Sequence, residues 1–162
     1  MTIYDFCVWL EATPLAVSIS ESETLFPVIE TVHVFALTLV FGTIAMLDLR
    51  LLGVSSRDKG VMQLSGETLP WTWGAFVVAA ISGALLFTSQ ATKYYENVPL
   101  RIKAVLLILA GLNMAIFHFG AYRSVRNWNV SFPTPGAAKV AAGLSILFWM
   151  GIVVAGRWAG FV

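Results

Sequence analysis

Four apolar blocks, each as long as a bilayer is thick, leave this chain few ways to fold. They run over about 26–52, 70–91, 100–122 and 136–158, and a helix of roughly 20 residues crosses the hydrocarbon core. The breaks between them read GVSSRDKG with the polar QLSGET after it, then TKYYENVP, then RSVRNWNVSFPTP. Pro27, Pro70, Pro99 and Pro135 stand at or just before the expected helix starts, where a missing N–H costs little. Short connections between successive spans predict an all-α, integral membrane, antiparallel four-helix bundle. The whole chain, 1–162, reads as one transmembrane domain. Ile3, Phe6, Cys7 and Leu10 recur at helical spacing and predict a short N-terminal interfacial helix.

Composition agrees with a lipid environment. Of the 162 residues 58% are hydrophobic and only 12% charged, with a mean hydropathy of +0.80, too little polar surface for a soluble domain. A net charge of +1 supplies no basic field for nucleic acid. Cys7 is the one cysteine, which excludes an intrachain disulfide and reads as a small buried apolar residue. Met1–Leu10 carries no basic segment, so a cleaved leader is not expected.

Basic residues orient the spans. Arg50, Arg57, Lys59, Arg123, Arg126 and Lys139 fall on the side of the first and third loops, against Lys93, Arg101, Lys103 and Arg157 on the other. The bias predicts both termini outside and those two loops in the cytoplasm. Trp71, Trp73, Tyr94, Tyr95, Trp128 and Trp158 sit at expected span ends, as interfacial anchors do.

The polar residues inside the spans then fall into two layers. At 100° per residue Glu30, His33 and Asp48 share one arc of the first helix, taken as its inward face because ionisable groups avoid lipid. The outer layer gathers Glu30, His33, Lys103 and Gln90, with Arg101 and Arg157 at its rim. The inner layer gathers Asp48, Arg50, His118 and Arg123, with Asp48 expected in an ion pair and His118 facing the interior. Asn113 and the Ala79-x-x-x-Gly83 and Gly156-x-x-x-Gly160 spacings read as helix-packing devices. Glu30, His33 and Lys103 ask for more, because three ionisable groups at one depth are costly without partners or a ligand.

An imidazole inside a membrane bundle suits metal ligation, above all haem b. On that reading His33 is the axial ligand, and Lys103 is a sixth ligand or the counter-charge of Glu30. Glu30 orients the surroundings, and Arg101, Arg157 and Gln90 line the cofactor's rim. His118 is the second choice of metal ligand. It lies 11 residues deeper in its span than His33 does in its own, about 16 Å at 1.5 Å per residue, so the two do not clamp one iron.

VHVFALTLVFGTIAMLDLRLLG resembles the first helix of the CopD-like bacterial four-helix membrane proteins, and PLRIKAVLLILAGLNMAIFH resembles their third. The ETVH and LDLRLLG strings and the Lys103-to-Asn113 spacing are most similar to an uncharacterised family of that group. A more distant likeness is to the haem-binding four-helix protoporphyrinogen oxidase, whose first-helix His and third-helix Lys correspond to His33 and Lys103. Its tryptophan-glycine stretch is here LVFG. The resemblance implies haem binding and a bacterial cytoplasmic (inner) membrane.

Three classes follow, in this order. The first is a b-type haem protein passing electrons between quinol and an outer-side redox partner. The second is a haem-dependent oxidase of a porphyrinogen-like substrate. The third is a copper or small-solute permease, with an accessory subunit role behind it. Copper(I) favours thiolate and thioether ligands, and the five Met residues do not cluster in sequence. Small-residue helix faces would allow a homo-oligomer in the bilayer.

Overall fold

Each apolar block becomes one long helix, and three of the four match their expected bounds closely. The computed structural model describes residues 2–130 and 134–161; Met1, the linker residues 131–133 and residue 162 lie outside that description. The elements are α1 (Ile3–Glu11), α2 (Pro14–Ser20), α3 (Leu25–Leu52), α4 (Val61–Ser89), α5 (Ala91–Glu96), α6 (Val98–Phe119), a 3-10 turn (Ala121–Asn127) and α7 (Gly136–Trp158). No strand occurs among the described residues. α3, α4, α6 with its 3-10 extension, and α7 are each long and apolar enough to cross a membrane. The protein is therefore an all-α, multi-pass helical bundle, and lipid-facing side chains such as Phe35, Ile108 and Leu147 stay exposed on it.

Local chemistry sets the helix ends. Thr2 and Asp5 form a reciprocal capping box at α1, which occupies two otherwise orphan N–H groups. Asn97 accepts from the Leu100 N–H at 2.9 Å and donates to the Ala159 carbonyl at 3.0 Å, so one amide caps α6 and ties it to the end of α7. At the other end of α3, Gly53 takes a left-handed φ of 76°. Its N–H and that of Val54 return to the Arg50 and Leu49 carbonyls, a Schellman stop that a side-chain-bearing residue would strain.

The second helix is longer than its sequence suggests. α4 starts at Val61 rather than near Pro70, and Pro70 lies inside it. The QLSGET string is thus helix, not linker. Pro70 lacks the N–H that would bond the Gly66 carbonyl, and α4 runs on past that one missing bond. Trp71 and Trp73 consequently stand on an exposed helix face well inside α4 rather than at its end. The N-terminal segment also differs from expectation, since it forms two short helices. They pack on α4 and α5 with Cys7 buried beneath.

Neighbour relations run α4–α3–α7–α6. Among the described residues, α4 and α6 nowhere come within 8 Å Cα to Cα, so the bundle is open along that one seam. The antiparallel α3/α4 register is held by two polar rungs, Thr72–Thr43 at 2.8 Å and Ser82–His33 at 3.0 Å. One apolar cluster packs mid-bundle, from Val40, Ala75, Ala110, Trp149 and Ile152. A second closes the loop end, from Leu51, Val61, Val125, Trp128, Ala138 and Ala142. Trp128 is thus a core residue, 6% exposed, and its indole N–H donates to Ser124 at 3.1 Å. The interfacial position expected for it is corrected: the 3-10 turn folds the chain back over the bundle and carries the indole inward.

Arg50 and Asn129 lock the loop end. The Arg50 side chain is fully buried, and its guanidinium donates to the Lys59 carbonyl at 2.7 Å and the Asn129 carbonyl at 3.4 Å. The Asn129 carbonyl also accepts from the Val61 N–H at 3.0 Å, and its side-chain oxygen accepts from Met62 N–H at 2.7 Å. Gly60 has no side chain to cap α4, so the other connection supplies the cap. Arg50→Ala should cost about 3 kcal/mol, because charged hydrogen bonds to buried carbonyls are lost, and Asn129→Ala about 1–2 kcal/mol. Glu67→Gln, which breaks only the exposed Lys59–Glu67 pair at 3.3 Å, should stay within about 0.5 kcal/mol. Denaturant unfolding in detergent micelles, read by near-ultraviolet dichroism, ranks the three.

Candidate functional site

Two polar sites lie on the bundle's inner surfaces, one toward the end carrying both termini and one toward the loop end. The first is built on the α3/α4 rung. His33 Nδ1 lies 3.0 Å from the Ser82 Oγ, and Ser82 in turn donates to the Val78 carbonyl at 2.6 Å. A hydroxyl has one proton to give. Since Val78 takes it, Ser82 accepts from His33, and the network assigns the proton of the neutral ring to Nδ1. On that assignment Nε2 is the basic nitrogen of the ring.

Two glycines make room for the two candidate ligands. A Cβ on Gly83 would come within 2.9 Å of His33 Cε1, and one on Gly156 within 3.3 Å of Lys103 Nζ. Gly83 sits on α4 against α3, and Gly156 on α7 against α6, so each side chain lies in a slot cut by a missing methyl group. His33 and Lys103 are both half-buried, and Lys103 is near enough for its charge to act on the imidazole. The structure therefore places His33 and Lys103 in electrostatic reach of one another. The small-residue spacings of α4 and α7 mark these slots, and Ser82 is the participant that sequence reasoning missed. Its only signal was its place beside Gly83.

The other expected members lie elsewhere. Glu30 is exposed, not inward: one turn before His33 the arc has already rotated to the bundle's outer edge. Burial pushes the Tyr94 phenol of α5 above its ordinary range, and the Glu30 charge adds to that rise. Gln90 is half-buried at the α4–α5 junction, where its backbone makes the cap bonds to Phe87 and Tyr94. Arg101 is exposed, with its Nε on the Tyr95 carbonyl at 2.9 Å and its guanidinium over the Tyr95 ring at 5.1 Å. Arg157 is exposed over the Phe161 ring at 4.9 Å. Both are held as anchors on aromatic faces. His118 is exposed at the last turn of α6 and stacks on Tyr122 at 4.8 Å. The expectation of an inward His118 is corrected, because Phe117 takes the inward position and the next residue rotates 100° away.

The second site is a cleft between all four long helices on the side of the open seam, with a cavity volume of about 190 Å³. Asp48 lines it at the loop end and is 6% exposed. The expected Asp48–arginine ion pair does not form: Lys59–Glu67 is the one salt bridge among the described residues. Residues two apart on a helix point to different sides, so Arg50 turns to the loop carbonyls while Asp48 turns to the cleft, and Arg123 is exposed. Ser145 lines the same cleft, and Asp48 Oδ2 has no hydrogen-bond partner. Among the described residues no three His, Cys, Asp or Glu side chains gather as a metal cage.

A family of unknown function, DUF6644, matches residues 9–162. The chain belongs to the DUF6644 family. No curated protein and no solved structure matches it. The DUF6644 match spans all four long helices, so both polar sites lie within the family's domain.

Two measurements check this geometry. Imidazole nitrogen resonances should show His33 as the Nδ1–H tautomer, and Ser82→Ala or Gly83→Ala should give a mixed population. In an alkaline spectrophotometric titration Tyr94 should ionise above the ordinary tyrosine range. Glu30→Gln removes a negative charge that opposes the phenolate, so it should bring Tyr94 to lower pH.

Proposed function

We propose that this DUF6644 protein is a b-type haem protein of the bacterial cytoplasmic membrane, with His33 holding the iron and electrons exchanged between a membrane quinol and an outer-side redox partner. The observation that carries the reading is the His33 pose: Nδ1 is bonded to Ser82, and Nε2 is left as the basic nitrogen. A metal-ligating histidine is oriented in this way, its second nitrogen fixed by a hydrogen bond. The slots at Gly83 and Gly156 seat His33 against α4 and Lys103 against α7. Haem needs one or two axial ligands rather than a cage of three, and His33 with Lys103 supplies that number.

When bound, the haem supplies one-electron chemistry. The chain's own part is positional. Ser82 fixes the ring's tautomer and plane, and Gly83 fixes its depth. Lys103, half-buried against α7, brings an amine to the same end, either as a ligand or as a positive charge that favours the electron-rich state. Arg101 and Arg157, on the rim, supply positive charge for acidic groups at the surface. The basic residues of the two loops support a topology with both termini periplasmic.

The purified protein should show a Soret band that shifts on reduction. His33→Ala should abolish it and Ser82→Ala should weaken haem retention several-fold, while His118→Ala keeps full haem. A wild type that never carries haem, or His33→Ala retaining it fully, overturns the reading. Alkaline phosphatase fusions after Lys59 and after Arg126 should both be inactive, and activity in both reverses the orientation.

A further inference from the structure

The cleft at the loop end is separate from the His33 site and has its own chemistry. Its walls are mainly apolar and aromatic, with Trp73, Phe76, Phe117 and Trp149 among them. It runs along α3 from Val40 to Leu51, about 16 Å at 1.5 Å per residue. The polar groups in it can be counted by role. Thr43 donates to the Leu39 carbonyl at 2.8 Å, Thr68 to Leu64 at 2.9 Å, and Thr72 to Thr43 or Thr68. The Asn113 amide gives one of its two N–H protons to the Ala141 carbonyl at 2.9 Å. The open acceptors are Asp48 Oδ2, buried and unpartnered, and the Asn113 carbonyl oxygen, for which no hydrogen bond occurs among the described residues.

A buried carboxyl oxygen without a donor is costly. A ligand bearing an ammonium group removes that cost, and aromatic faces around it attract the same charge. The open seam between α4 and α6 faces the bilayer, so the apolar body of such a ligand need not cross water to enter.

We propose that this cleft binds a lipophilic amine, an apolar body carrying a protonated nitrogen, with the nitrogen seated on Asp48 and the body lying between α4 and α6. The nitrogen donates to Asp48 Oδ2 and to the Asn113 amide oxygen. Asp48 is the specificity-determining group, and the aromatic residues hold the body.

The probe is a dansylated alkylamine added to the full chain in zwitterionic lipid nanodiscs, with tryptophan-sensitised dansyl emission as readout. Its control is the same molecule with a hydroxyl in place of the amine. The amine should bind saturably and at least tenfold more tightly than the alcohol. Asp48→Asn should lose that tenfold for the amine and leave the alcohol unchanged. Gly111 lines the cleft, and a Cβ there would meet open space. Gly111→Phe should therefore fold, fill the mouth and abolish amine binding. Equal binding of amine and alcohol by the wild type overturns the proposal without recourse to any variant, as does full amine affinity in Asp48→Asn. His33→Ala should bind the amine normally, so this reading and the haem reading stand or fall separately.

Discussion

The loop end of this bundle depends on what Arg50 does with its guanidinium. Fully buried, it donates to main-chain carbonyls of both connections, Lys59 and Asn129, where loops turning at a membrane end leave acceptors that no helix can serve. The two connections are thereby fastened to the end of α3, and Asn129 can reach α4 to cap it. The same commitment leaves the neighbouring acid without a cation. Asp48 faces the cleft because its arginine faces the loops, and the polar character of the cleft follows from the architecture that closes the bundle beneath it.

The terminal end solves a different problem with smaller parts. There α3 and α4 meet through a serine hydroxyl and a glycine, and α6 and α7 through a lysine lying over a glycine. Close approach lets polar side chains be half-buried between helices without large cavities around them. The imidazole that results has one nitrogen bonded and one basic, whatever it is used for. The two ends thus differ in kind: a fixed, narrow polar contact at one, and an open cleft with an unserved carboxyl at the other.

Much of the fold was legible because its signals are long and one-dimensional. The four apolar runs gave the four long helices, and α7 begins and ends where its block does. Pro70 misled because proline was read as a start signal, whereas α4 runs through it with one helical hydrogen bond missing. The site was legible only in part. Helical phase brought His33 to a polar contact and axial rise set it apart from His118, but phase is blunt over a 60° arc. Glu30, one turn away, fell on the outside, and His118, next to an inward Phe117, did too. What phase could not carry was tertiary. Asp48 and Arg50 look like a pair in sequence and point apart in space. Ser82 and Asn129 matter through partners 49 and 79 positions away, at His33 and Arg50.

The seam between α4 and α6 has a consequence for how the cleft is supplied. A binding site that opens sideways meets the lipid phase, not the water above it, so the concentration that matters is moles of solute per mole of lipid. A sparingly soluble solute that partitions strongly into bilayers is then presented at high local density although almost none is free in solution. Adding more membrane at fixed total solute dilutes it and empties the cleft. Chain order and thickness of the surrounding lipid also become part of the entry step, since acyl chains must part along the same line where the two helices do.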